Sequence, residues 1–182
     1  TAAFPGVPVF IYGHSLGGLI TMTYTVQRRP AITGQIASAP ALDSELREQR
    51  LKFALANLLG GIAPGIILPT GLDADGVSRD PEVVAAYKAD PLVHDKGSTG
   101  LAKQTFAAMD ALMDQTSFPV PLLIIHGTSD RLTVPAASKT FVENVTGDVT
   151  LIEYDGMYHE PHNEPEQQEV FEDVLAWMEP RL

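Results

Sequence analysis

Val7-Pro8-Val9-Phe10-Ile11-Tyr12-Gly13-His14-Ser15-Leu16-Gly17-Gly18, running on into Leu19 to Val26, is the stretch on which the fold turns. An apolar run ends at a Gly-x-Ser-x-Gly pentapeptide, and good helix formers follow it. Such a strand–turn–helix places the serine on a sharp bend with its hydroxyl exposed. Glycines two residues to either side of Ser15 let strand and helix pass closely around it. The N–H of Leu16, at the start of the helix, is then placed to donate to an oxyanion formed on Ser15. The competing reading is a glycine-rich turn with a bystander serine.

Three further β-branched or aliphatic runs occur at Ile32–Ser38, Leu122–His126 and Val149–Tyr154. Val7–Tyr12 and Leu122–His126 are nearly continuous apolar runs, which predicts strands covered on both faces of a parallel sheet. Ile32–Ser38 is less apolar, and Val149–Tyr154 is closer to an edge pattern. Helical patterns follow at Gly18–Arg28 before Pro30, at Pro135–Val145, and at Pro165–Met178, where Val170, Phe171, Val174, Leu175, Trp177 and Met178 recur at helical spacing. Alternating strand and helix predicts an α/β layered fold with right-handed crossovers.

Residues 41–116 break this rhythm, separating the second and third strands by about 75 residues, far more than one crossover requires. They read as a helical cap inserted into a core made of residues 1–40 and 117–182. Between Leu51 and Leu68 only Lys52 and Asn57 carry polar side chains. Gly60, Gly61, Pro64 and Gly65 interrupt this run, against the roughly 20 apolar residues of a membrane span. It reads equally as a buried cap helix and as an apolar lid over a lipophilic substrate.

A serine hydroxyl becomes a nucleophile when a histidine takes its proton and an acid holds that histidine's tautomer. On a sheet of this kind the order is serine, acid, histidine, the last two on loops after later strands. Among the five histidines, His14 adjoins Ser15 on a turn that points it elsewhere, His94 lies in the insertion and His126 ends a strand. His159 lies five residues past the fourth strand, with Gly156 to turn the loop, and His162 is the second choice. Asp130 lies four residues past the third strand; its other reading is an N-cap or a surface partner of Arg131. Asp155 is nearer His159, but local adjacency does not bring a carboxylate onto the imidazole. Ser15, Asp130 and His159, separated by 115 and 29 residues, are the candidate catalytic set, with Leu16 N–H as oxyanion donor.

Composition narrows the rest. The chain has 182 residues, 12 Lys+Arg against 23 Asp+Glu for a net charge of −11, 45% hydrophobic residues and no cysteine. One globular domain with a real core is implied. The acidic balance disfavours nucleic acid. The absence of cysteine excludes disulfides, thiol nucleophiles and Cys-ligated metals.

Gly13-His14-Ser15-Leu16-Gly17-Gly18 resembles the nucleophile elbow of the α/β-hydrolase superfamily, and within it of the monoacylglycerol lipase and lysophospholipase branch. Ser78-Arg79-Asp80-Pro81-Glu82-Val83 with Tyr87-Lys88-Ala89-Asp90-Pro91-Leu92-Val93 is similar to that branch's cap signature. His126-Gly127 with Asp130, and Tyr154-Asp155-Gly156-Met157-Tyr158-His159-Glu160, are similar to its acid and base loops. The resemblance covers essentially the whole chain. It implies a partial α/β-hydrolase fold and serine hydrolysis of lipophilic acyl esters, with no cofactor and no metal. Thioesterases, C–C hydrolases and haloperoxidases share the same triad.

The superfamily carries several strands before the elbow, whereas six residues precede the first strand here. That part, on the order of 100 residues at about 30 per βαβ unit, supplies the second oxyanion donor in the family. Its absence predicts either a piece of a longer protein or a shortened one whose exposed first strand pairs with a second copy as a homodimer. The other partner expectations are a lipid ester and a membrane surface touched by the cap. The rival to catalysis is a non-catalytic remnant that binds lipids or a partner protein.

Overall fold

The computed structural model describes residues 5–44, 54 and 58–182. The chain runs β1 (Phe10–His14), α1 (Leu16–Arg28) and β2 (Gly34–Ser38). The inserted segment holds β3 (Ile67–Pro69), α2 (Pro81–Ala89), β4 (Lys96–Ser98) and α3 (Thr99–Met113). It closes with β5 (Leu122–Gly127), α4 (Pro135–Asn144), β6 (Val149–Tyr154) and α5 (Gln167–Met178). Strands β1, β2, β5 and β6 form one parallel sheet in that order. Every strand therefore points its C-terminal end the same way, and the loops after β1, β5 and β6 emerge along one edge.

Two apolar layers clamp the sheet, and strand alternation decides which residue serves which. Leu122 and Ile124 face a cluster built with Leu19 and Met22 of α1, Phe106, Met109 and Leu112 of α3, and Phe141 of α4. Leu123 and Ile125 face the opposite cluster, built with Ile36, Tyr154, Val170 and Trp177. This two-sided burial explains the unbroken apolar run of β5, each such side chain contributing about 1.5–3 kcal/mol. Because α3 packs beside α1 in the first cluster, the inserted segment returns into the core at its C-terminal end.

Two expectations change. The fully buried neighbour of β5 is β2, not β1: all five β2 residues are buried, including Gln35, whose Nε2 donates to Thr21 Oγ1 at 3.0 Å. Gly34 belongs there because a Cβ would press on Trp177 and Phe10. By contrast β1 is the outer strand among the described residues, only partly covered, with Tyr12 46% exposed. Strand β6 forms the other edge, in line with its sequence pattern.

The inserted segment is not purely helical, since β3 and β4 pair as an antiparallel ribbon. Of the apolar run, residues 51–53 and 55–57 lie outside the described residues. Beyond them the apolar side chains are exposed: Leu58 by 58%, Ile62 by 74% and Ile67 by 66%. This part is therefore not a buried helix. No helix among the described residues is long and apolar enough to cross a membrane.

Candidate active site

Ser15 occupies the single residue between β1 and α1, at φ 53° and ψ −121°. This positive φ costs a non-glycine residue on the order of 1–3 kcal/mol and persists only where its surroundings enforce it. Here the Ser15 N–H donates to Ser38 O at 2.9 Å, while its carbonyl accepts from Leu19 N and Ala41 N. Its hydroxyl makes no capping bond to α1. Leu16 is the first residue of that helix, so its N–H has no intrahelical acceptor and stays available to a ligand.

The close approach that the motif needs is at Gly13, where a Cβ would lie 2.5 Å from Gly17 O and collide with Thr21. A second tight point is Gly18 against Pro40, whereas a Cβ on Gly17 would meet open space. The steric demand thus falls on Gly13 and Gly18 rather than on Gly13 and Gly17.

Asp130 and His159 are joined directly, with Asp130 Oδ2 2.8 Å from His159 Nδ1. The acid sits in the turn after β5, and its other oxygen accepts from the backbone N–H groups of Leu132 at 2.7 Å and Thr133 at 3.1 Å. Oδ2 also accepts from Thr133 Oγ1 at 2.7 Å and lies 3.0 Å from His126 Nε2. Burial raises the Asp130 pKa. Hydrogen bonds from His126 and His159, the charge of His159 and the Thr133 hydroxyl outweigh that effect and hold the carboxyl well below the usual carboxylate range. An ionised Asp130 accepts the Nδ1 hydrogen bond of His159, leaving Nε2 as the basic nitrogen.

His159 reaches this position through a loop that Gly156, at φ 72°, turns back after β6. The loop is tied to the inserted segment by His159 N–H to Gly76 O at 3.3 Å, Glu160 N–H to Val77 O at 2.8 Å and Ser78 Oγ to Asn163 O at 2.9 Å. Fully buried Glu164 completes the tie, accepting from Tyr158 N at 2.7 Å and Arg79 Nε at 2.9 Å. Arg79 also pairs with Glu166.

The structure brings Ser15 to the same end of the sheet as this pair. The ring of its neighbour His14 lies against that of His159, tilted by 54° with centroids 4.7 Å apart. No hydrogen bond joins the Ser15 hydroxyl to His159 among the described residues. His14 therefore does not point elsewhere. Its ring lies between His159 and His162, at 4.9 Å from the latter, with Nδ1 3.2 Å from Ser38 Oγ. Burial and the nearby charges of His159 and His162 lower its pKa to about 3, so it is neutral at physiological pH.

His162 contacts Tyr12 and not Asp130, His94 stays in the inserted segment, where its Nδ1 accepts from Lys96 N, and Asp155 accepts from Thr128. Reading the sequence alone missed Thr133, Ser138 and Glu164 and set His126 aside. Only the His126-Gly127 dipeptide carried any signal for these four. No group of three or more His, Asp or Glu among the described residues could hold a metal ion.

Between the β3–β4 ribbon and α3, a cavity of about 320 Å³ is lined mainly by apolar side chains, among them Leu68, Leu72, Leu101, Phe106 and Met109. A serine on a strained strand-to-helix bend, with an Asp–His pair on the loops after later strands, is the arrangement of the α/β-hydrolase fold. Within that fold the chain belongs to the Hydrolase_4 family (serine aminopeptidase, S33), which it matches over residues 1–166.

It is 41% identical over 177 residues to a monoacylglycerol lipase of Mycolicibacterium smegmatis, covering 96% of this chain and 63% of that protein. It is 31% identical to phospholipase YtpA of Bacillus subtilis, covering 94% of this chain and 68% of that one. The crystal structure of Paleococcus ferrophilus monoacylglycerol lipase superposes with a TM-score of 0.90 at 36% identity, covering 97% of this chain and 70% of the lipase. The chain thus spans about two thirds of the length of these relatives.

Proposed function

We propose that this chain carries the acyl-transfer site of a serine carboxylic-ester hydrolase acting on lipophilic acyl esters of the monoacylglycerol or lysophospholipid kind. One observation supports this above the others: strained Ser15 and the Asp130–His159 pair share one end of the sheet, with His14 in contact between them. His159 Nε2 takes the Ser15 proton as Oγ attacks the ester carbonyl, and Asp130 holds the resulting imidazolium. Leu16 N–H donates to the oxyanion. The tetrahedral adduct collapses, the alcohol leaves with the proton from His159, and Ser15 remains acylated. His159 then deprotonates a water that attacks the acyl carbonyl, and as the bond to Oγ breaks His159 returns the proton to Ser15 and the acid departs.

The substrate class rests on the apolar cavity between the β3–β4 ribbon and α3 and on the names of the relatives. The exposed apolar side chains at Leu58, Ile62 and Ile67 fit contact of the inserted segment with a lipid surface. The side of β1 left unpaired among the described residues fits pairing with a second copy, which a sedimentation measurement of a stable monomer would contradict.

A chain-length series of p-nitrophenyl esters and monoacylglycerols tests the reading. Hydrolysis that rises with acyl length and is lost in Ser15→Ala is the expected result. Binding of these lipids without turnover would instead identify a non-catalytic lipid-binding protein.

A further inference from the structure

His126 and Ser138 lie outside the reaction steps above, yet both are completely buried and lead straight to the acid. The His126 Nε2 is 3.0 Å from Asp130 Oδ2 and 3.1 Å from Thr133 Oγ1, and its Nδ1 is 2.8 Å from Ser138 Oγ. One tautomer satisfies every partner. With the proton on Nε2, the ring donates to the carboxylate while Nδ1 accepts from the Ser138 hydroxyl. The opposite tautomer would set a lone pair against an ionised oxygen in a dry site, where an unmatched polar group is costly.

A second imidazole therefore converges on the very oxygen that holds His159 Nδ1. The Thr133 hydroxyl, with a single proton, reaches the same oxygen at 2.7 Å and Ala39 O at 3.3 Å.

We propose that His126 is a positioning residue: locked by Ser138 in its Nε2–H form, it fixes Asp130 Oδ2 so that the carboxylate holds His159 in a single tautomer and orientation. This rests on the reading of His159 as the general base, because it assigns a role through that residue. Outer partners of this kind act through the group they orient.

The test is nitrogen-15 spectroscopy of the histidine rings, which needs no turnover, on the full chain and on His126→Phe, His126→Gln and Ser138→Ala. Unchanged protein shows His159 wholly as the Nδ1–H tautomer and His126 wholly as the Nε2–H tautomer. In His126→Phe the His159 ring nitrogens shift toward averaged tautomers. In His126→Gln, whose amide nitrogen replaces Nε2 as donor, they return. Ser138→Ala moves them in the same direction as His126→Phe with little volume change, which covers the case where the phenylalanine variant does not fold.

Ester turnover follows: kcat falls about tenfold in His126→Phe with KM unchanged, and His126→Gln restores it. His159 signals that stay put in a folded His126→Phe or in Ser138→Ala overturn the proposal. Inactive protein with the predicted ring signals overturns the hydrolase reading, and with it the catalytic purpose assigned to His126, but not the hold of His126 on Asp130 and His159.

Discussion

Gly127→Ala should damage the site without touching any reacting group. Gly127 ends β5, and a Cβ there would collide with the carbonyl oxygens of Met157 and Tyr158 and lie 2.6 Å from the Met157 carbonyl carbon. Carbon atoms prefer about 3.5–4.0 Å, so the backbone just before His159 must retreat by about 1 Å. That segment is not free to move, because Glu164 holds Tyr158 N and Gly76 holds His159 N. The strain therefore divides between stability, at about 1–3 kcal/mol for overpacking, and misplacement of the imidazole. A shift of about 1 Å in a reacting group costs on the order of 100-fold in rate, equivalent to about 2.7 kcal/mol.

Steady-state hydrolysis of a soluble p-nitrophenyl ester, read beside a thermal melt, separates the two shares. Gly17→Ala is the steric control, since its Cβ meets open space and its Tm should stay level or rise. A Gly127→Ala protein with unchanged kcat/KM and unchanged Tm would refute the claim that contact between β5 and the base loop positions His159.

Other consequences follow from the same contacts. Asp130→Asn keeps the shape but presents an amide where His159 Nδ1–H needs an acceptor, so kcat should fall by about 10⁴. Glu164→Gln removes the charge paired with Arg79, which is one third exposed, and should lower stability by about 1–3 kcal/mol in a urea titration while reducing turnover through the Tyr158 anchor. His14 has a folded pKa of about 3, below its unfolded value, so the unfolded chain binds the extra proton first. Its contribution is complete above about pH 6.5 and is lost as pH falls toward 3, by about 1–2 kcal/mol at pH 5. Urea midpoints taken across that range should decline in the unchanged protein and flatten in His14→Gln.

What the sequence revealed and what it hid follow from how locally each feature is encoded. Strand, Gly13, Ser15 and helix are contiguous in the chain, so the bend is written in consecutive residues. Asp130 and His159 are readable because chain order on a parallel sheet predicts which loops reach one edge, and the structure joins them by a hydrogen bond. The relative burial of β1 and β2 was not readable. An apolar run says that a strand can be covered, but neighbours decide whether it is, and the polar amide nitrogen of Gln35 is accommodated by Thr21.

Strands β3 and β4, three residues each, are too short to carry a period. Glu164 and Arg79 meet across 85 residues, and no pattern in one chain links them. His126 reads in the sequence as no more than the end of a strand, because its role depends on Ser138 in the following helix, which position in the chain does not reveal.

The most direct measurement of the central claim is intact-mass and peptide mapping of the chain after reaction with an alkyl fluorophosphonate, a probe that captures only an activated hydroxyl. A single adduct on Ser15 is expected, absent in Ser15→Ala and strongly slowed in His159→Gln. An unmodified chain that is folded, or an adduct on another residue with Ser15 untouched, would contradict it.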